Sequence, residues 1–428
     1  MKIIYNLLMV MVFSFSALTF SQQTPAPEQT ESISIINATA HVGNGELVNN
    51  AVIVFENGII TYVGKDQSKA KGEIIEATGK HVYPGFIAPN STLGLVEIDA
   101  VAATDDEDEL GKMLPHVRSI IAYNTESKVV ESMRPNGVLM GQITPQGGRI
   151  SGTSSIVQFD AWNWEDAIIK EDDALHLNWP YGFRRSGNWY DPNRRYEQNK
   201  NYQPEVEEIY TYFKSAKVYT EKNNRDLEKE VMQGVFNGTK RLFVHVNGEK
   251  EIRDVISFKE KMNLPNLTIV GAYHAYKVAE ELKAADISVL VQRVHQVPNF
   301  EDDDYDLPYK LPKLLHDAGL LVALEGSGQM ERMNSRNLPF YAGTAAAFGL
   351  DKELALQMIT LNTAKILGVD DQVGSLEVGK DATLFISEGD ALDMKGNKLT
   401  RAFIQGRDIS LESHQTELYK RYSNKYRD

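Results

Sequence analysis

The stretch Gly79 to Leu95, GKHVYPGFIAPNSTLGL, decides how the rest of the chain is organised. It opens on a glycine turn, runs through the apolar, β-prone Val82 to Ile87 and stops in small polar residues. A strand ending this way presents Asn90 and Thr92 beyond its C-terminal end. Downstream, short apolar segments recur at Gly137 to Ile143, Arg241 to Val246, Leu267 to Gly271, Ser288 to Val294 and Leu320 to Leu324. Between them, apolar residues three or four apart mark helices such as Ala275 to Ala285 and Lys352 to Thr360. This alternation predicts an α/β fold with a parallel sheet, and the spacing suits a (β/α)8 TIM-type barrel spanning 84–365, entered through Val82 to Ile87.

Upstream, Ser32 to Ala40, Ala51 to Glu56 and Ile59 to Val63 are β-rich and are separated by Asn44-Gly45 and Asn57-Gly58, two-residue hairpin signals. Strand character returns at Gly374 to Ile386 and Leu399 to Ile409. The simplest topology joins 32–83 with 366–412 in one small composite β-sandwich domain built from both chain ends, followed by a tail, 413–428. Ahead of it, Met1 to Phe20 carries Lys2 and an apolar run that ends in small residues, the pattern of a secretory signal cut near Ser21. Residues 22–31, rich in Pro, Thr and Gln, are expected to be a mobile linker.

The chain has 428 residues, 42% of them apolar, enough for a large core. A net charge of −14 excludes a basic nucleic-acid surface. With no cysteine there is no disulfide, thiolate metal site, cysteine nucleophile or lipidated N-terminus. The expectation is a periplasmic or secreted protein that binds a small molecule and has no stable membrane anchor. Other enzyme signatures are missing: no Gly-x-Ser-x-Gly elbow, phosphate-binding loop or dinucleotide fingerprint occurs.

Taken in order, the N-terminal β segment, GKHVYPGFI, His245 in a strand, RNLPFYAGTAAAFGLDKELALQMITLNTAKILG and GSLEVGKDATLFI resemble the amidohydrolase superfamily, within it the imidazolonepropionase-like branch. The resemblance covers about residues 32 to 410. It implies hydrolysis of carbon–nitrogen bonds in small amides or cyclic amides, by one or two divalent metals at the barrel mouth that activate water. Carried over position by position, the family's first-strand motif matches Pro84, Gly85, Phe86 and Ile87, but Ala88, Asn90 and Thr92 replace its aspartate and two histidines. His245 matches the fifth-strand histidine and is the one matched metal ligand. The sixth-strand histidine falls near Gly271 and the eighth-strand aspartate near Ser327, with Glu325 two residues earlier.

Two expectations follow. In one, His245, His274 and Glu325 are catalytic and Asn90, Thr92, Arg149, His295 and Ser327 bind substrate, with a zinc ion held by a rearranged set of His245, His274, His295 and Glu325 or with no metal at all. In the other, the chain is a non-catalytic homologue acting as a binding or partner subunit of an active amidohydrolase, in a homo-oligomer or hetero-complex. Gln146 to Gly152 reads as a flexible polar loop, either a tight turn with a solvated Arg149 or one whose backbone amides and Arg149 hold an anionic substrate group. Ala161 to Tyr202, holding all four tryptophans, reads as an insertion, and the acidic runs Phe300 to Asp306 and Asp105 to Glu109 as solvated loops. His41, His81, His116, His176, His316 and His414 carry no functional expectation.

Overall fold

The computed structural model describes residues 24–185, 196–220, 225–327 and 330–426. The segment expected to be a secretory signal, and Trp189, lie outside the described residues. Strands β1 (Ile33–His41), β2 (Leu47–Glu56), β3 (Ile59–Gly64), β4 (Glu73–Glu76) and β5 (His81–Pro84) combine with β16 (Leu384–Ser387), β17 (Leu399–Ile404) and β18 (Arg407–Ile409) in one eight-stranded sheet. Its core runs from Ile33 and Ile35 through Ile53 and Phe55 to Leu384 and Phe403. The two chain ends meet where β5 pairs antiparallel with β16, Pro84 opposite Leu384.

The opening stretch is therefore two strands in two sheets, not one. β5 ends at Pro84, and β6 (Phe86–Ser91) begins the barrel after Gly85. Gly85 donates its N–H to Thr383 O at 2.9 Å, and a Cβ there would stand 2.9 Å from Thr383 Cγ2 and 3.1 Å from Leu139 Cδ1. The chain can pass between the domains here only without a side chain.

The barrel sheet runs β15-β14-β13-β12-β9-β8-β7-β6, with β7 (Val138–Ile143), β8 (Ile150–Gln158), β9 (Ile168–Asn178), β12 (Arg241–Val246), β13 (Leu267–Gly271), β14 (Ser288–Val291) and β15 (Val322–Leu324). Between them in sequence, β10 (Phe183–Arg185) and β11 (Tyr196–Gln198) form a separate hairpin. The eight barrel strands are not all parallel: β8 is antiparallel to both neighbours. β8 begins within the expected flexible loop, taking its last three residues, Ile150 to Gly152, and β9 lies inside the expected insertion. Their alternation was hidden because both faces of β8 are buried along its whole length, so polar Ser and Thr sit where a one-sided strand would show a hydrophobic stripe.

Ile87, Met140, Ile156, Ala174, Phe243, Val270, Leu290 and Ala323, one from each strand, fill the barrel interior. Below them Ala364, Ile366, Leu367, Val369 and Val373, from helix Leu361–Leu367 and the turn after it, close the bottom. Met358 and Ile359 bridge the gap between β15 and β6, accepting from Leu324 N at 3.1 Å and Ile87 N at 3.0 Å. With the bottom packed, functional side chains are left to the other end, where the parallel strands finish.

Residues 24–31 are docked rather than free. Ala26 N donates to Asp160 Oδ2 at 2.9 Å on the barrel side, and Gln29 exchanges hydrogen bonds with Phe55 O and Gly58 N of the β domain. Of the described tryptophans, Trp162 is exposed and Trp179 is buried with its indole N–H on Tyr202 Oη at 3.1 Å.

Candidate active site

At the upper end of the barrel the interior turns polar. The register between β6 and β7 slips between Ala88 and Ser91, and Asn90 sits in the left-handed region at φ +51°, a conformation asparagine tolerates better than most residues. This bulge aims the Asn90 side chain across to β15, where Nδ2 donates to Glu325 Oε2 at 3.2 Å. Glu325 is fully buried, and it also accepts from Ser327 N at 2.8 Å and from the Ser327 hydroxyl. Burial raises its carboxyl to about 7, against the lowering effect of those hydrogen bonds.

The network continues the other way round the barrel. Asn90 N donates to Gln142 Oε1 at 3.1 Å, which turns Gln142 Nε2 towards Asp173 Oδ2 at 2.8 Å. Ser154 Oγ donates to Asp173 Oδ1 at 2.7 Å and bonds His176 Nε2 at 2.9 Å. His176 Nδ1 in turn meets His245 Nε2 at 3.1 Å. Burial pulls the His245 ring down to about 4 and His176 well below the usual histidine range, and it raises Asp173. Both imidazoles are therefore neutral at pH 7. His245, half-buried, is where this chain reaches the mouth.

Of the expected residues, Asn90, Glu325 and Ser327 are in direct contact, and His245 is connected to Asn90 only through Gln142, Asp173, Ser154 and His176. Thr92 is close by but serves a second, half-buried carboxyl: its N and Oγ1 donate to Glu331 Oε2 at 3.1 and 3.0 Å, and Ser335 Oγ donates to Oε1. Burial raises Glu331 as well. The other expectations are corrected. His274 caps a short turn and stacks on Phe300, and His295 bonds Thr344 Oγ1 at 2.7 Å beside Tyr341; neither joins the network. Arg149 is committed to Glu205 at 3.1 Å and to Asn178 O at 2.8 Å, so it holds the start of β8 against the end of β9 and has no anion to find. His176, which carried no functional expectation, is 0% exposed. Asp173, Ser154, Gln142 and Glu331 carried no sequence signal beyond being polar.

The family's metal centre does not fit these residues. Among the described residues no three His, Cys, Asp or Glu side chains are grouped to hold an ion. Asn90 Nδ2 and Thr92 Oγ1 are used on carboxylates, and His245 Nε2 is used on His176. At the sixth-strand position a side chain has no room: Gly271 has φ +88°, and a Cβ would lie 2.6 Å from Asn247 Oδ1. What remains is a neutral imidazole and a carboxyl that titrates near neutrality, on strands facing one interior. Among the described residues, the buried polar atoms without a protein partner include Asn90 Oδ1 and Gln292 Nε2. Gln292 follows Leu290 on the inward face of the β14 segment, and Glu325 N bonds Val291 O, so both atoms flank Glu325.

A barrel closed below by a helix, joined to a β domain from both chain ends and carrying its polar groups at the upper end, is the architecture of a barrel hydrolase. Sequence and structural relatives narrow the class. The Amidohydrolase family model matches residues 310–409. The amidohydrolase tasK of Hapsidospora irregularis is 19% identical over 383 residues, 79% of this chain, and the chain spans 38% of that relative's length. An amidohydrolase from Thermotoga maritima MSB8 superposes with a TM-score of 0.75 at 25% identity, covering 88% of this chain and 99% of that one. A Xaa-Pro dipeptidase with bound methionine in its active site shares the fold, with a TM-score of 0.56 at 13% identity over 89% of this chain and all of its own. These matches support placing the chain with the amidohydrolase superfamily.

Proposed function

We propose that the chain is an exported hydrolase that cleaves the carbon–nitrogen bond of a small, uncharged amide or cyclic amide in the barrel mouth, using its own acid and base. The observation that carries this reading is Glu325, a buried carboxyl at about 7 set between Asn90 Oδ1 and Gln292 Nε2, two polar atoms with no protein partner. Buried polar atoms in that state are costly, at about 1–3 kcal/mol each. An amide group supplies what each lacks, a carbonyl oxygen for Gln292 Nε2 and an N–H for Asn90 Oδ1. Among the described residues that form the network none is a lysine or arginine, so a substrate carboxylate finds no ion-pair partner within it.

Glu325 is raised to about 7 and His245 lowered to about 4, so between those values the site holds a protonated carboxyl and a neutral imidazole, an acid and a base at the same pH. In this reading His245 takes a proton from water as the water oxygen adds to the amide carbon. Glu325 then passes its proton to the nitrogen as the C–N bond breaks, and the proton on His245 returns to Glu325 through solvent.

The test is hydrolysis of a lactam, a primary amide and a dipeptide in the presence of a chelator. Turnover of the uncharged amides, lost in Glu325→Gln and His245→Ala, supports the reading. No turnover across the panel sinks it and leaves the binding or partner subunit. Export is tested separately, by mass spectrometry of the mature N-terminus, expected near residue 22.

A further inference from the structure

The hydrogen bonds from Asn90 to His245 form a chain whose direction can be worked out atom by atom. It starts at a group that can only donate, the backbone N–H of Asn90, bonded to Gln142 Oε1 at 3.1 Å. That bond fixes the Gln142 amide, so its Nε2 must be the atom donating to Asp173 Oδ2 at 2.8 Å. Asp173, 1% exposed, accepts this bond and a second from Ser154 Oγ at 2.7 Å; burial raises its carboxyl, these two donors and then the cations of Lys170 and Arg241 oppose that, and the direction of the chain holds for the ionised carboxylate. The only hydroxyl proton of Ser154 is thereby used. Its oxygen can then only accept from His176 Nε2 at 2.9 Å, so His176 carries its proton on Nε2. His176 Nδ1 is left as an acceptor, and His245 Nε2–H must be the donor across the 3.1 Å contact.

We infer that Asp173, Ser154 and His176 are positioning residues that lock His245 in the Nε2–H tautomer, with its Nδ1 lone pair presented at the barrel mouth. Among the described residues His245 Nδ1 has no partner. When His245 accepts a proton at Nδ1, the ring becomes a cation whose Nε2–H still points down a chain of acceptors ending at the Asp173 carboxylate. The chain thus does for His245 what a buried carboxylate does for the histidine of a catalytic triad: it sets the tautomer and stabilises the imidazolium. The tautomer assignment rests on geometry alone; its use in catalysis rests on the proposed acid–base hydrolysis.

Asp173→Asn tests it with almost no change of shape. Gln142 still offers a donor, so the new amide must accept there and point its own NH2 at Ser154. Ser154 then has two acceptors for its proton, His176 Nε2 at 2.9 Å and Ala174 O at 3.3 Å; the shorter contact takes it, His176 donates to His245 through Nδ1–H, and both rings change tautomer. The readout is the ring-nitrogen NMR of the full chain labelled at histidine, with His176→Gln and His245→Gln assigning the signals. The wild-type protein is expected to show both rings protonated at Nε2, and Asp173→Asn both at Nδ1. Ser154→Ala, which cuts the chain in the middle, is expected to leave His245 as a mixture and carries the test if Asp173→Asn does not fold. A wild-type His245 protonated at Nδ1, or a folded Asp173→Asn protein with the wild-type pattern, overturns the inference. Where hydrolysis is measurable, Asp173→Asn lowers kcat by about a hundredfold or more with KM little changed. The expected tautomers without turnover would refute the hydrolase reading and leave the positioning chain standing.

Discussion

Replacing Glu325 by glutamine isolates the feature on which the proposed chemistry depends. The carboxyl is fully buried and stands at about 7, against an ordinary glutamate value of 4.5. Its folded pKa lies above its unfolded one, so the folded protein holds the proton more tightly. The contribution to stability is therefore complete below pH 4.5 and is lost as the pH rises to 7. That displacement corresponds to roughly 3 kcal/mol. Glutamine resembles the protonated form: its oxygen can accept from Asn90 Nδ2 and Ser327 N, and its NH2 can donate to the Ser327 hydroxyl, which rotates to receive it. Near pH 4.5 the two proteins should be about equally stable, and above pH 7 Glu325→Gln should be the more stable by up to about 3 kcal/mol. The comparison must be made between variants, because His245 has the opposite sign. Its pKa is depressed from 6.5 to about 4, so its contribution is lost as the pH falls through that range and masks the Glu325 slope in the wild type. The assay is urea denaturation of both proteins at pH steps from 4.5 to 8.5, followed by tryptophan fluorescence. A stability difference that does not change with pH would refute the reasoning, since it would mean that Glu325 titrates alike in both states.

The corrected Arg149 makes a structural prediction: Arg149→Ala should lower stability by about 1–2 kcal/mol, through the lost bonds to Glu205 and Asn178 O, while leaving KM for a neutral amide unchanged in steady-state kinetics. Restoring the family's first-strand ligands with Asn90→His and Thr92→His should not create a stoichiometric zinc site, because Gly271 leaves no room for a sixth-strand ligand; metal analysis after dialysis against zinc checks this. Gly271→Ala should cost about 1–3 kcal/mol, from its left-handed backbone and the 2.6 Å approach to Asn247 Oδ1, measured as a shift in thermal unfolding. Among substrates, a lactam should be hydrolysed in preference to a dipeptide of similar size, since the network offers nothing to a free carboxylate.

Much of the fold was legible because strand and helix periods survive in the sequence. β12 and β13 have the bounds read from Arg241 to Val246 and Leu267 to Gly271, and the composite β domain follows from two separated β-rich segments. The missing ligands were legible as well, since Asn90 and Thr92 occupy positions defined by the adjacent Pro84 to Ile87. His245 and Glu325 could be nominated because each stands at the end of an apolar strand.

The partners of those residues could not be read in the same way. β8 is buried on both faces, so Ile150 to Gln158 shows no hydrophobic alternation, and the antiparallel turn that inserts it into the barrel has no local signature. His176 lies 69 residues from His245, and whether it meets solvent or another imidazole depends on which strand β9 pairs with. Local sequence by itself determined where strands end and which side chains can reach the mouth, because those depend on spacing along one element. Only the tertiary structure decided that Gln142, Asp173, Ser154 and His176 connect Asn90 to His245, because a hydrogen bond between strands depends on register and on the loss of competing water.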